Sequence, residues 1–241
     1  VPPDLCYLHN FQSPEHPRAL RLPAGQGRQL RQRMQELTRA LQADIPKRFA
    51  EPDFKADLDA LEETYSDQEA QAYAELSRFA DARHFALRRD SGQMVFTLVN
   101  TAGESLSATE MNALPQAERD AFDQGERDLR SQILHFLELT APLERAVREG
   151  TVALRIQAVK PLLDRALGTV RQELKKQFKD TRKLGTWLDE VAHDVLEHLD
   201  LFEPAGPDDE EERRDALSRQ LGRYRVNLVV DNADLSGAPV I

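Results

Sequence analysis

Apolar residues recur at alternating steps of three and four through most of this 241-residue chain, and on both sides the pattern gives way to short runs of β-formers. Leu30, Met34, Leu37 and Leu41 make one stripe. Phe54, Leu58, Leu61, Tyr65, Ala72, Leu76 and Phe79 make a second, interrupted near Gln68 or Glu69, and Val152, Ile156, Val159, Leu163, Ala166, Val170 and Leu174 a third. A stripe of this kind needs a partner surface, so the helices must pack on one another. At the ends, Leu5 to Phe11 and Tyr224 to Asn232 read as strands cut from a larger sheet. The chain starts at Val1 without a methionine and stops at the apolar Ala238-Pro239-Val240-Ile241, which sets the expectation of an excised piece whose function is that of a part.

Aromatic residues make up 6% and charged residues 31% of the chain, a balance that favours elongated helical packing over a compact α/β globule. The net charge of -10 repels phosphate backbones, so nucleic acid is disfavoured as a partner. The single cysteine, Cys6, permits no internal disulfide and suits a reducing cytoplasm. No apolar run approaches the roughly 20 residues a bilayer requires and no signal peptide is visible, so a cytosolic protein without membrane partners is expected.

The predicted fold class is mainly α: a long antiparallel, coiled-coil-like helical arm with a small β-hairpin tip and short β-strands at the two chain ends. Residues 1–27 form a strand, a turn at Ser13 to Pro17, a short extended piece and a hinge at Ala24 to Gly27. An outgoing arm spans 28–83, bent where Ile45-Pro46 disfavours helix. The tip covers 84–106, where His84 to Arg89 and Gln93 to Asn100 flank the turn Asp90-Ser91-Gly92, with Phe85 and Leu87 on the face of Met94, Phe96 and Leu98. A returning arm spans 107–179. It opens on Ser107 as N-cap with Glu110 as capping-box partner and a Leu106–Met111 staple, and Pro142 and Pro161 are expected to kink or restart it. A packing helix at 180–202, an acidic linker and short helix at 203–222, and a returning strand at 223–241 complete the chain.

Reactive constellations are sparse. Asp189, His193 and Glu197 share one helical face at steps of four, as zinc ligands can, but with no nearby cysteine a solvated face is the simpler reading. Arg171, Lys175, Lys176, Lys179, Arg182 and Lys183 cluster around Phe178; ordinary solvation at a helix end accounts for them better than nucleic acid does. Gly25-Gln26-Gly27 lacks the lysine and hydroxyl of a phosphate loop. Leu228-Val229-Val230-Asp231 has the form of a Walker B strand, but Asn232 replaces the second acid and a plain buried strand is favoured. No catalytic, metal or cofactor-binding residue is assigned. The candidate partner-contact residues are Phe85, Leu87, Met94, Val95, Phe96 and Val99, because the second hairpin strand is apolar on nearly both faces. The same residues could equally form only the tip's own core.

Cys6-Tyr7-Leu8-His9-Asn10-Phe11, followed by Pro17 to Gly27, resembles a branch of the Lon-like ATP-dependent proteases of the AAA+ class. Arg223 to Asn232 with Gly237-Ala238-Pro239-Val240 looks like that family's re-entry into its ATPase core. The resemblance implies an insertion between the Walker A and Walker B motifs of a ring-forming peptidase with a Ser-Lys dyad. ATP and magnesium are implied for that parent only. Protein substrates and neighbouring subunits of the ring are the implied partners. A non-enzymatic coiled-coil scaffold and a nucleic-acid-binding arm are the alternatives.

Overall fold

The structure is a computed structural model that describes residues 2–177 and 182–234. It is mainly α with short antiparallel strands, and it divides into one unit of residues 1–56 with 153–241 and another of residues 57–152. Among the described residues no helix is long and apolar enough to cross a membrane.

The first unit is organised around β1 (Asp4–Leu8), whose alternation buries Asp4, Cys6 and Leu8 on one face. β2 (Arg18–Leu22) pairs with one edge of β1, placing Leu20 opposite Cys6. β5 (Asn227–Val230) pairs antiparallel with the other edge, placing Leu228 opposite Cys6 after a slip between Leu5 and Cys6. The two terminal segments are therefore neighbours in one sheet, as their composition suggests. β5 is an edge strand with Val229 and Val230 54% and 40% exposed, so the fully buried strand expected from its apolar run is not what forms.

α1 (Gln26–Phe49) runs against β1 and β5 with Leu30, Met34, Leu37, Leu41, Ile45 and Phe49 buried. Two local expectations change here. The hinge at Ala24 to Gly27 is instead the start of this helix, with Gly25 in the left-handed region at φ 83°. Pro46 lies inside the helix rather than ending it, because Ile45 and Phe49 continue the buried stripe, and burying both outweighs the roughly 3 kcal/mol proline penalty.

The same competition decides α4 (Gln116–Gln177). It continues through Pro142 and Pro161, and around Pro161 Val159, Leu163, Leu167 and Val170 are all buried. α5 (Arg182–Glu197) buries Leu184, Trp187, Leu188, Val191 and Val195, and the expected continuation to Phe202 becomes a separate 3₁₀ turn, Leu199–Phe202. Its expected start at Asp180 lies outside the described residues. α6 (Glu210–Gly222) begins within the stretch expected as linker, with Glu210, Glu211 and Glu212 in its first turn where the helix dipole favours acids.

In the second unit, α2 (Pro52–Asp81) contributes Leu61, Leu76 and Ala80. Leu61 lies so close to Gly150 of α4 that a Cβ there would sit 2.9 Å from it, while Leu76 and Ala80 share a core with Leu129 and Phe136. These contacts make the two helices antiparallel within this unit. Between them, β3 (Phe85–Asp90) and β4 (Gln93–Leu98) form the expected hairpin, with Leu87 opposite Phe96. Ser91 and Gly92 at φ 49° and 80° form the two-residue turn whose twist matches paired strands. α3 (Ala108–Ala113) carries the anticipated capping box: the Glu110 N–H donates to Ser107 Oγ at 3.3 Å and the Ser107 N–H to Glu110 Oε2 at 2.8 Å. Those bonds hold the Glu110 carboxyl below its ordinary range.

Candidate functional site

The six candidate contact residues divide between the faces of the hairpin. Phe85 is buried, and Leu87, Met94 and Phe96 pack beside it against the helical core, with Phe85 and Phe96 edge-to-face at 5.7 Å. Val95 points the other way and is 46% exposed. Val99 lies just past β4, half-buried, and donates its N–H to His84 O at 2.8 Å.

Where β4 meets α3 and α4, a cavity of about 410 Å³ opens between Met94, Phe96 and Leu98 on one side and Met111 and Phe122 on the other. Asp123, Glu126 and Arg130 rim it. Arg130 is engaged twice, donating to Glu126 at 2.7 Å and lying 5.1 Å from the Phe96 ring centroid. Phe122, Asp123 and Glu126 were not singled out by sequence. The available signal was the apolar period of α4 itself, in which Phe122 precedes Leu129 and Phe136 on one face.

The polar groups of the first unit are largely satisfied by one another. The fully buried Asp4 carboxylate accepts from the Gly27 N–H at 2.9 Å and the Asn232 N–H at 2.8 Å, and Asn232 Nδ2 donates to Pro3 O at 2.8 Å. This latch joins β1, the first turn of α1 and the segment after β5. Gly27 is required there: a Cβ would lie 2.6 Å from Leu228 and 3.0 Å from both Asp4 and Cys6. Burial, and then the Asp4 charge, push the Cys6 thiol up to about 11, so at neutral pH it stays protonated among the packed side chains.

Asp194, 7% exposed, accepts from the Tyr224 hydroxyl at 2.8 Å, from Gln220 Nε2 at 2.5 Å and from Arg223 at 3.2 Å. Burial raises the Tyr224 hydroxyl well above its ordinary value and keeps it a donor. A cavity of about 520 Å³ adjoins this network, lined by His9, Phe11 and Pro14 opposite Asp189, Glu190 and His193. Arg18 binds Glu190 through two bonds of 2.8 and 3.0 Å.

Several members of the remaining sequence constellations are engaged in ion pairs or turns. Asp189 is held by Arg171, and His193 meets Glu197 at 3.1 Å; among the described residues no three His, Cys, Asp or Glu converge on a metal position. Phe178 and Lys179 of the basic cluster, and the side chains of Lys175 and Lys176, lie outside what is described. Asp231 accepts from Arg28 at 2.9 Å and from the Ala233 N–H at 3.1 Å, bonds that hold its carboxyl below the ordinary range. It is a turn and ion-pair residue at the end of an antiparallel edge strand. At the start of α1 the Gly27 N–H that could meet a phosphate is already taken by Asp4.

Comparison with known families bears on this same region. Residues 4–37 match the family model of the Lon-like LonC helical domain. The LonC-like stretch takes in β1, β2 and the first half of α1, so it holds Asp4 and Gly27 of the latch. No curated protein matches the chain.

Proposed function

We propose that this chain is an accessory domain of a Lon-like protease, set as an insertion between the nucleotide motifs of an AAA+ core, and that its hairpin region engages protein substrates during ATP-driven unfolding and proteolysis. The pairing of β1 with β5 is the observation that supports this reading, since the lengths of chain that flank a long excursion return to adjacent positions in one sheet. The LonC-like stretch supports the protease context. The exposed Val229 and Val230 on an edge strand are what a sheet that continues into further strands would present. ATP, magnesium and the Ser-Lys dyad belong, in this reading, to other parts of a cytoplasmic parent.

Substitution of Val95 and Val99 by Ser in the full-length enzyme tests the engagement role. Degradation of an unfolded substrate is expected to fall severalfold while basal ATPase activity holds; unchanged degradation removes the role. A second reading, contact with a neighbouring subunit of the ring, is favoured by Leu134, Leu137 and Leu139 of α4, which are 48–62% exposed. Substituting Leu134 and Leu137 by Gln and measuring the assembled mass distinguishes it: a smaller assembly supports subunit contact.

A further inference from the structure

The charge of this protein is unevenly distributed. Residues 57–152 hold nineteen Asp and Glu against nine Arg and no Lys, a difference of ten that equals the formal net charge of the whole chain, -10. The other unit is balanced. The candidate contact region thus lies in an acidic unit, and at the cavity beside β4 Asp123 makes no ion pair among the described residues, while Glu126 is matched by Arg130.

The backbone beside that cavity is also open. The Val99 N–H donates to His84 O, and with the register of β3 and β4 this fixes which residues pair through hydrogen bonds: 86 with 97, 88 with 95, and 90 with 93. The N–H and C=O groups of Met94, Phe96 and Leu98 therefore point outward from β4. Leu98 O accepts from the Leu106 N–H at 3.0 Å, which closes that end. Among the described residues nothing meets the backbone groups of Met94 and Phe96.

We propose that Met94 and Phe96 form a docking edge for an extended, basic and apolar polypeptide segment, an inference that rests on the substrate-engagement reading above. The segment adds as a strand beside β4, with up to four hydrogen bonds to the free backbone groups. One apolar side chain enters the 410 Å³ cavity between Phe96, Met111 and Phe122. Lysine or arginine on its flanks meets Asp123 and the acidic field of the unit. The same field opposes the other occupants of an open strand edge: a second copy would bring its own ten negative charges and a nucleic acid its phosphates.

The test uses the full chain and three fluorescent peptides that share a Val-Phe-Val core. One is flanked by lysines, one by glutamates, and one is the lysine peptide N-methylated at alternate core amides. By fluorescence anisotropy at low salt, the lysine peptide is expected to bind at least tenfold more tightly than either of the others. Asp123→Lys, an exposed substitution, is expected to narrow the gap between the lysine and glutamate peptides severalfold, and Met111→Ala to weaken the lysine peptide. Equal binding of the two flanked peptides, or insensitivity to N-methylation, overturns the proposal, as does a salt-resistant dimer that blocks the site. If either occurs while the Val95 and Val99 double variant still loses degradation, the docking edge is refuted and substrate engagement stands. If that variant also degrades normally, both fall.

Discussion

Replacing Asp4 with Ala removes the one acceptor that, among the described residues, meets two buried N–H groups, those of Gly27 and Asn232, at a position with no solvent access. Hydrogen bonds to a charged acceptor contribute about 1.5–3 kcal/mol each, so the loss from two is about 3 kcal/mol at the low end. With a urea dependence of about 2 kcal/mol/M, the unfolding midpoint should fall by about 1.5 M. The protein supplies its own reporter, since Trp187 is the single tryptophan, is 1% exposed, and donates Nε1–H to His9 O at 3.0 Å in the same unit as Asp4. Urea titrations followed by tryptophan emission therefore read the unit that the latch holds. Asp4→Asn keeps one acceptor and should lie between wild type and Asp4→Ala. The reasoning is refuted by a shift below about 0.3 M for Asp4→Ala, particularly if the Gly27 and Asn232 amides exchange as slowly as before.

Gly27→Ala should destabilise the same unit by about 1–3 kcal/mol through overpacking against Leu228 and Cys6, read as a lower urea midpoint of Trp187 emission. Gly92→Ala meets no atom within 4 Å, so its cost is that of a φ of +80° alone, about 1–2 kcal/mol, and the Gln93 amide should exchange roughly 5- to 30-fold faster. The Cys6 thiol, pushed up to about 11, stays protonated in the fold while an unfolded thiol ionises near its ordinary 9.0. Stability from this group is complete below about pH 9 and is lost as pH rises toward about 11. Melts at pH 8 and 10.5 should differ less in a Cys6→Ala variant than in the wild type.

The elements that were legible in the sequence are those whose signals are local and unopposed. Ser107 and Glu110 cap α3 because they stand three positions apart, and Asp90-Ser91-Gly92 turns the hairpin because Gly92 tolerates positive φ. At the prolines a local signal for a helix break is opposed and overridden. Pro46 and Pro161 carry a local penalty, but the buried residues on either side of each impose a helical continuation that outweighs it. Asp4 could not be recognised as a latch, since its two donors lie 23 and 228 residues away. The cavity beside β4 was legible by half: Met94 and Phe96 follow from alternation, whereas Phe122 and Asp123 acquire a role only once α4 is laid beside the strand.

The contact of Leu61 with Gly150 has a kinetic implication. The sheet unit is built from two lengths of chain separated by residues 57–152, and a loop of that size closes slowly and at an entropic cost. Once α2 and α4 zip together as far as Leu61 and Gly150, that separation shrinks to a few residues on either side, and β5 can find β1 as though the intervening hundred or so residues were a short connector. Assembly should then run in a fixed order, the contiguous unit first and the sheet last.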